Sequence, residues 1–228
     1  MQSFDLAPSK PVGYIKDAIK DAILDGIISN DYAAAFGLML SKAAELGIEP
    51  VHKGLLCLTG MDTPMGRLTI AASVQGIAYI GWSDDGIVSL AKKLKLTVAE
   101  ATTPLLTQAV KQLSEYFGGT RREFSLPLHL AGTEFQMKAW EVLQQVPYGD
   151  TISYGEQASR LDKPTASRAV AQANHNNPVC IVIPCHRVIN ANGSLGGYAS
   201  GTDIKQQLLS LEQCVKQGAC QQEKGSEE

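Results

Sequence analysis

The chain has 228 residues, 44% of them hydrophobic and 19% charged, with a formal net charge of −3. That length holds one or two domains with a real core; no apolar run is long enough for a membrane helix, and Met-Gln-Ser-Phe-Asp is not the start of a secretory signal. Five irregularly spaced cysteines point to reduced thiols in the cytoplasm, and the acidic chain, with only six Lys/Arg against five Asp/Glu over 150–220, excludes nucleic-acid binding by bulk charge alone.

Residues 13–47 read as a helical hairpin. Ile15, Ile19, Ala22 and Ile23 share one face, Asp25-Gly26 ends the first helix, Asn30 caps the second, and Gly47 stops it. With a boundary at Glu49-Pro50, residues 1–50 form a helical extension that packs or interacts. From Leu55 the pattern turns to short strands, Leu55–Thr59, Leu68–Val74 and Gly76–Trp82, which make a small antiparallel sheet. Helices follow at Ile87–Leu96 and Pro104–Phe117, and Phe124–Leu128 is extended. This α/β domain covers 55–130.

A second domain, mostly helical, covers 131–216. Thr133-Glu134-Phe135-Gln136 is a capping box opening a helix whose stripe is Phe135, Ala139, Val142, Leu143 and Val146. Pro147-Tyr148-Gly149-Asp150 ends it. Ser153-Tyr154-Gly155-Glu156 starts a short helix to about Leu161. After Asp162-Lys163-Pro164, Thr165 caps another to about Asn174, which completes a helix-turn-helix pattern. Thr202 caps a last helix with Ile204, Leu208 and Leu211 on its buried face. The polar stretch 217–228 reads as a disordered tail.

The chemistry concentrates at Ile183-Pro184-Cys185-His186-Arg187-Val188. Val179–Ile183 is apolar and β-branched and reads as a buried strand that Pro184 terminates, presenting Cys185 where the chain leaves the sheet. A thiolate is the reactive form of cysteine, so a base is needed. His186 is adjacent, but neighbouring strand residues face opposite ways, so the two communicate through a bend or a water. Glu212 borders the buried face of the last helix near its C-terminus, where the dipole disfavours a carboxylate. A partner would hold it there, and His186 suits, giving a Cys185–His186–Glu212 chain. His175, Cys180, Cys185 and His186 fit no usual zinc spacing, and Cys180 reads as core filling. On residues alone, an alkyl acceptor, a thiol hydrolase and a non-catalytic helix-turn-helix regulator stay open.

Residues 131–213 resemble the catalytic domain of the O6-alkylguanine-DNA alkyltransferases, the methylated-DNA–protein-cysteine methyltransferases. The resemblance rests on Gly132–Gln136, Ile152-Ser153-Tyr154, Ser167-Arg168-Ala169-Val170, Asn177-Pro178, Pro184-Cys185-His186-Arg187-Val188, Gly197-Tyr198 and the Leu209/Glu212 helix. Met61–Gly66 and the strands around it are similar to the family's RNase H-like α/β domain. The resemblance implies a helix-turn-helix, winged-helix-like catalytic domain and irreversible, single-turnover transfer of the alkyl group from O6-alkylguanine, or O4-alkylthymine, to Cys185. It implies roles for His186 as base through a water, Glu212 as its orienter, Asn177 as holder of the turn, and Tyr154 as donor to N3 of the departing base. Arg168 would fill the stack after base flipping, on a minor-groove surface with Thr165, Ser167 and Ala169. Val188, Tyr198, Ala199 and Ser200 would wall the base pocket; many relatives carry glycine at Ser200. The resemblance implies a monomer acting on double-stranded DNA, with no cofactor, metal or membrane.

Overall fold

The computed structural model describes residues 10–48 and 54–218. The boundary at Glu49-Pro50 and nearly all of the tail expected at 217–228 lie outside the described residues. The chain divides into two compact units. One holds residues up to Asp62 with Arg67–Gln112 and Phe124–Ala131; the other holds Thr63–Gly66, Leu113–Glu123 and the chain from Gly132.

In the first unit, α1 (Lys10–Leu24) and α2 (Tyr32–Glu45) form the helical hairpin, burying Val12, Ile15 and Ala22 on one helix and Phe36, Met39 and Ala43 on the other. The cap of α2 is Asp31, whose carboxylate accepts from Ala34 N at 2.9 Å; Asn30, the expected cap, lies one residue too early. The sheet has the order β3-β2-β1-β4, built from β1 (Leu55–Thr63), β2 (Gly66–Ser73), β3 (Gly76–Gly81) and β4 (Thr97–Glu100). It is not wholly antiparallel. β4 runs parallel to β1, and the crossover between them carries α3 (Ile87–Leu94). The largely exposed Thr97-Val98-Ala99-Glu100 has no apolar alternation, which is why the sequence hides this edge strand. On one face Leu56, Ala71 and Ala78 pack with Ile87, Leu90 and Ala91 of α3. Ile70 and Ile80, paired across β2 and β3, are buried on the other. The segment expected to be extended at Phe124–Leu128 contributes a single bridge, Ile77 to Leu128. Pro127 accepts there, from Ile77 N at 2.7 Å, but has no N–H to extend a ladder.

α4 (Pro104–Phe117) belongs to the first unit through Gln112 and to the second from Leu113. In the second unit, α5 (Glu134–Gln144) opens on a complete capping box between Thr133 and Gln136. α6 (Tyr154–Arg160) is capped by Ser153, which accepts from Glu156 N at 3.0 Å. α7 (Ser167–His175) has Ala166 at its cap position, so Thr165 sits exposed in the turn and caps nothing. Two buried contacts lock these helices. Trp140 of α5 donates its indole N–H to Ala173 O at 2.9 Å, and the side-chain amides of Gln157 and Asn174 exchange two hydrogen bonds of 3.1 and 2.7 Å. A parallel pair, β5 (Ile152–Ser153) and β6 (Val188–Ile189), ties the start of α6 to the residues after Cys185. α8 (Thr202–Lys216) buries Lys205, Leu208, Leu209 and Glu212; Gly201, with φ of 97°, takes the cap position and moves Thr202 inside the helix.

Residues 179–183 correct the sequence reading. They form a compact turn, not a strand. Val182 N bonds to Cys180 O and Ile183 N to Val179 O, and Ile181 has φ of 73°. The apolar, β-branched run is buried, as expected, but by folding back on itself.

A Cβ on Gly76 would lie 2.7 Å from Leu128 C and Pro127 O. Both are backbone atoms, which cannot rotate away. Gly76→Ala is therefore expected to cost about 1–3 kcal/mol, read as a lower urea midpoint of unfolding.

Candidate active site

Cys185 opens a 3-10 turn, Cys185–Arg187, directly after the 179–183 turn. It is 6% exposed and reaches a cavity of about 640 Å³ that Tyr154, Ser167, Arg168, Tyr198 and Ala199 also line. Of the residues assigned to the site from sequence, these six share the cavity wall. Val188 lies behind the wall, fully buried, while Thr165, Ala169 and Ser200 do not reach the cavity. Asn190, Gln172 and Asn174 line it without having been assigned to the site from the sequence, as does Gly197, known there only as part of the Gly197-Tyr198 motif.

Asn177 organises the nucleophile. Its amide nitrogen donates to Ile183 O at 2.8 Å and to Cys185 Sγ at 3.1 Å, and its carbonyl accepts from Val179 N at 3.0 Å. A hydrogen bond from the Cys180 thiol holds the Cys185 thiol below its ordinary value; burial opposes this, and the Asn177 amide supports it. The thiolate is thus more accessible than burial alone would allow.

His186 points away from the cavity. Its Nε2 is 2.8 Å from Glu212 Oε1, and a carboxylate only accepts, so Nε2 carries the proton. Burial lowers the imidazole's affinity for a second proton, against the pull of Glu212. The ring is therefore neutral at pH 7, with its lone pair on Nδ1, which makes no hydrogen bond to protein. Adjacency in sequence does not make Cys185 and His186 a hydrogen-bonded pair.

Glu212 is more heavily held than the sequence indicates. Oε1 accepts from His186, from Tyr116 OH at 2.8 Å and from Arg187 Nη2 at 2.9 Å; Oε2 accepts from Arg187 Nε and from Gly149 N, each at 2.9 Å. Burial pushes this carboxyl upward, but the hydrogen bond from His186 and then the hydrogen bonds and charge of Arg187 prevail and keep it far below the usual carboxylate range. Arg187 also donates to Val146 O at 2.6 Å and stacks its guanidinium 5.6 Å from the Tyr148 ring centre. Nothing local in the sequence marks Tyr116 or Arg187 as partners of Glu212.

Lys205 was also missed, although a signal was present: it stands on the same helix stripe as Leu208, Leu209 and Glu212. It is fully buried, donates to Val188 O at 2.6 Å and also to the carbonyls of Leu195 and Gly197. Burial lowers its ammonium to about 8. It therefore clamps the loop that carries Tyr198 and Ala199, and lies 5.8 Å from the Tyr154 ring centre. Among the described residues Cys57, Cys180 and Cys185 are free thiols. Among the described residues no group of three His, Cys, Asp or Glu could hold a metal, and no helix is long and apolar enough to cross a membrane.

Two family models match the chain: the ribonuclease-like domain of 6-O-methylguanine DNA methyltransferase over residues 56–130, and its DNA-binding domain over residues 134–214. Methylated-DNA–protein-cysteine methyltransferases from Bacillus subtilis and Methanosarcina acetivorans are 44% and 42% identical over 155 and 154 residues, covering 68% and 66% of this chain and 93% and 94% of theirs. The chain belongs to the O6-alkylguanine-DNA alkyltransferase family. A crystal structure of Mycobacterium tuberculosis OGT in complex with DNA superposes with a TM-score of 0.62 at 38% identity, over 70% of this chain and 94% of that one. The α1–α2 hairpin lies outside both family models.

The buried charges set an acid limit on stability. The His186 imidazole is depressed in the fold, so its contribution is present above about pH 6.5, the unfolded value, and fades below it. Glu212 is likewise depressed, so a second loss begins as pH falls through 4.5, its ordinary value. Stability is expected to fall in two stages on acidification from pH 7, measured by urea unfolding at each pH. Glu212→Gln should cost about 3–5 kcal/mol at pH 7, by leaving Arg187 buried without its counter-charge, and should remove the second stage.

Proposed function

We propose that the protein repairs DNA by moving the alkyl group of O6-alkylguanine onto Cys185 Sγ, once per chain. The observation that carries this is a thiol held by Asn177 on the wall of a cavity shared with Tyr154 and Arg168, backed by a buried His186–Glu212 pair. In the reaction the Cys185 proton passes through a water to His186 Nδ1, and Glu212 stabilises the resulting imidazolium. The thiolate attacks the alkyl carbon in line, the carbon–O6 bond breaks, and its electron pair stays on guanine. Tyr154, half-buried and at hydrogen-bonding distance from Gly197 O, supplies a proton to N3 of the departing base. Its hydroxyl stays protonated because burial raises it. A thioether has no easy return, hence the single turnover.

The target atom lies inside the duplex, so this reading includes base flipping into the cavity, with Arg168 filling the vacated stack. Arg168 is exposed on α7 and lines the cavity, which supports that role. Thr165, Ser167 and Ala169 surround the start of the same helix and would contact the minor groove. Tyr198 and Ala199 would face the base, with Val188 and Ser200 behind them. O4-alkylthymine presents the same alkyl–oxygen bond and is a second substrate on this reading. We further assign the first matched region an RNase H-like layout and the second a winged-helix-like one, within domains at 55–130 and 131–216 following an extension at 1–50. A monomer acting in the cytoplasm completes the proposal.

An oligonucleotide containing O6-methylguanine should add one methyl group per chain by intact mass, and Cys185→Ala should add none. An unmodified mass with Cys185 reduced and the protein folded would contradict the assignment. Arg168→Ala should slow repair of duplex DNA about tenfold or more while leaving reaction with the free alkylated base unchanged, since flipping costs a few kcal/mol and about 1.4 kcal/mol is tenfold. Equal losses on both substrates would remove Arg168 from the flipping step.

A further inference from the structure

Alkyl transfer uses one thiol, yet the 179–185 turn brings two together. Ile181 is β-branched and sits at φ of 73°, a conformation that such residues rarely adopt and that costs of order 1–3 kcal/mol. With Ile181 so placed, Cys180 bridges to Ile183, Val182 N closes onto Cys180 O, and Cys185 N closes onto Ile183 O at 2.9 Å. Asn177 pins both ends of the turn. Cys180 and Cys185 are thus both anchored on Ile183, which brings their thiols side by side in one turn, near enough for each to perturb the other. Both cysteines are free and nearly equally buried, but only Cys185 lines the cavity. An oxidant entering the cavity reaches Cys185 first, and any sulfur species formed there has a second thiol beside it in the same turn. Reactive thiols next to a resolving cysteine stop at the reversible stage of oxidation, whereas an isolated one proceeds to sulfinic and sulfonic acids.

We propose that Cys180 is a resolving thiol and that Cys180–Cys185 is a reversible oxidation site protecting the alkyl acceptor from peroxide. Peroxide oxygen is transferred to the Cys185 thiolate; the O–O bond breaks, giving the sulfenic acid and hydroxide. The Cys180 sulfur then attacks Cys185 Sγ, the S–O bond breaks, and the oxygen leaves as water with the Cys180 proton. In sum, two thiols and one peroxide become one disulfide and two waters. A dithiol reductant returns two electrons and two protons and restores the nucleophile. The inference rests on Cys185 being the reactive thiol of the proposed function, but the pairing is read by mass without DNA.

The full chain is treated with hydrogen peroxide, blocked with iodoacetamide under denaturing conditions, digested and mapped. The peptide or peptides carrying Cys180 and Cys185 are expected to lose two hydrogens and to take up no blocking group. Dithiothreitol should restore both blocking and methyl acceptance from an O6-methylguanine oligonucleotide. Cys180→Ser and Cys180→Ala, each compared with its own methyl acceptance before oxidation, should instead accumulate sulfinic or sulfonic Cys185 and recover nothing with dithiothreitol. The proposal is overturned if Cys180 remains blockable while Cys185 is oxidised, or if the variants recover as fully as the unaltered chain. Absence of methyl acceptance before oxidation would count against the alkyl-transfer reading only; the peptide masses still decide the thiol pair.

Discussion

A single carboxylate bears the second unit's polar core. Glu212 accepts five hydrogen bonds from four residues, one of them, Tyr116, 96 positions away in the chain. Burying a charge costs several kcal/mol unless it is paired and hydrogen-bonded, and here both conditions are met by groups that α4, the 146–149 turn and the 3-10 turn bring to α8. Those are the segments that must be held in register for Cys185 to face the cavity. The same contacts fix the His186 tautomer, because a ring nitrogen facing an acceptor must carry its proton. Structure and chemistry therefore share one interaction, and neither can be altered without the other.

Lys205 is the counterpart on the cavity side. Where Glu212 gathers donors, Lys205 gathers acceptors, the backbone carbonyls of Val188 in β6 and of Leu195 and Gly197 in the loop before α8. Both sit on one stripe of α8, so a single helix supplies the anion behind the nucleophile and the cation under the pocket wall. Through these two side chains α8 helps to position both.

Much of this was legible in the sequence, for local reasons. The Thr133 box, the Ser153 cap and the stripe of α5 depend on spacings of three and four residues, which a sequence displays directly. Glu212 was found because a carboxylate at a helix C-terminus on a buried face needs a partner. The failures also have physical causes. Val179–Ile183 is apolar and β-branched whether it pairs with a neighbouring strand or folds on itself; the deciding group is the Asn177 side chain, whose amide takes the place of strand partners. β4 is an edge strand without an apolar face, so it left no periodic signal. Tyr116 and Arg187 act across the chain, and no spacing rule reaches that far. Cys180 was read as core filling, which its burial supports, but its contact with Cys185 depends on an unusual backbone angle at Ile181 that sequence does not announce.

The amide exchange between Gln157 and Asn174 has a mechanical consequence. Two apolar side chains in that place could slide past one another at little cost; two amides that satisfy each other lose both hydrogen bonds if α6 shifts against α7, and Trp140 of α5 holds α7 as well, through Ala173 O. The helix pair is thereby made stiff. If it docks on a duplex as proposed, the compliance needed for a fit has to come from the duplex. A weakened base pair yields first, so the rigidity of the protein becomes a way of sensing where the DNA is soft.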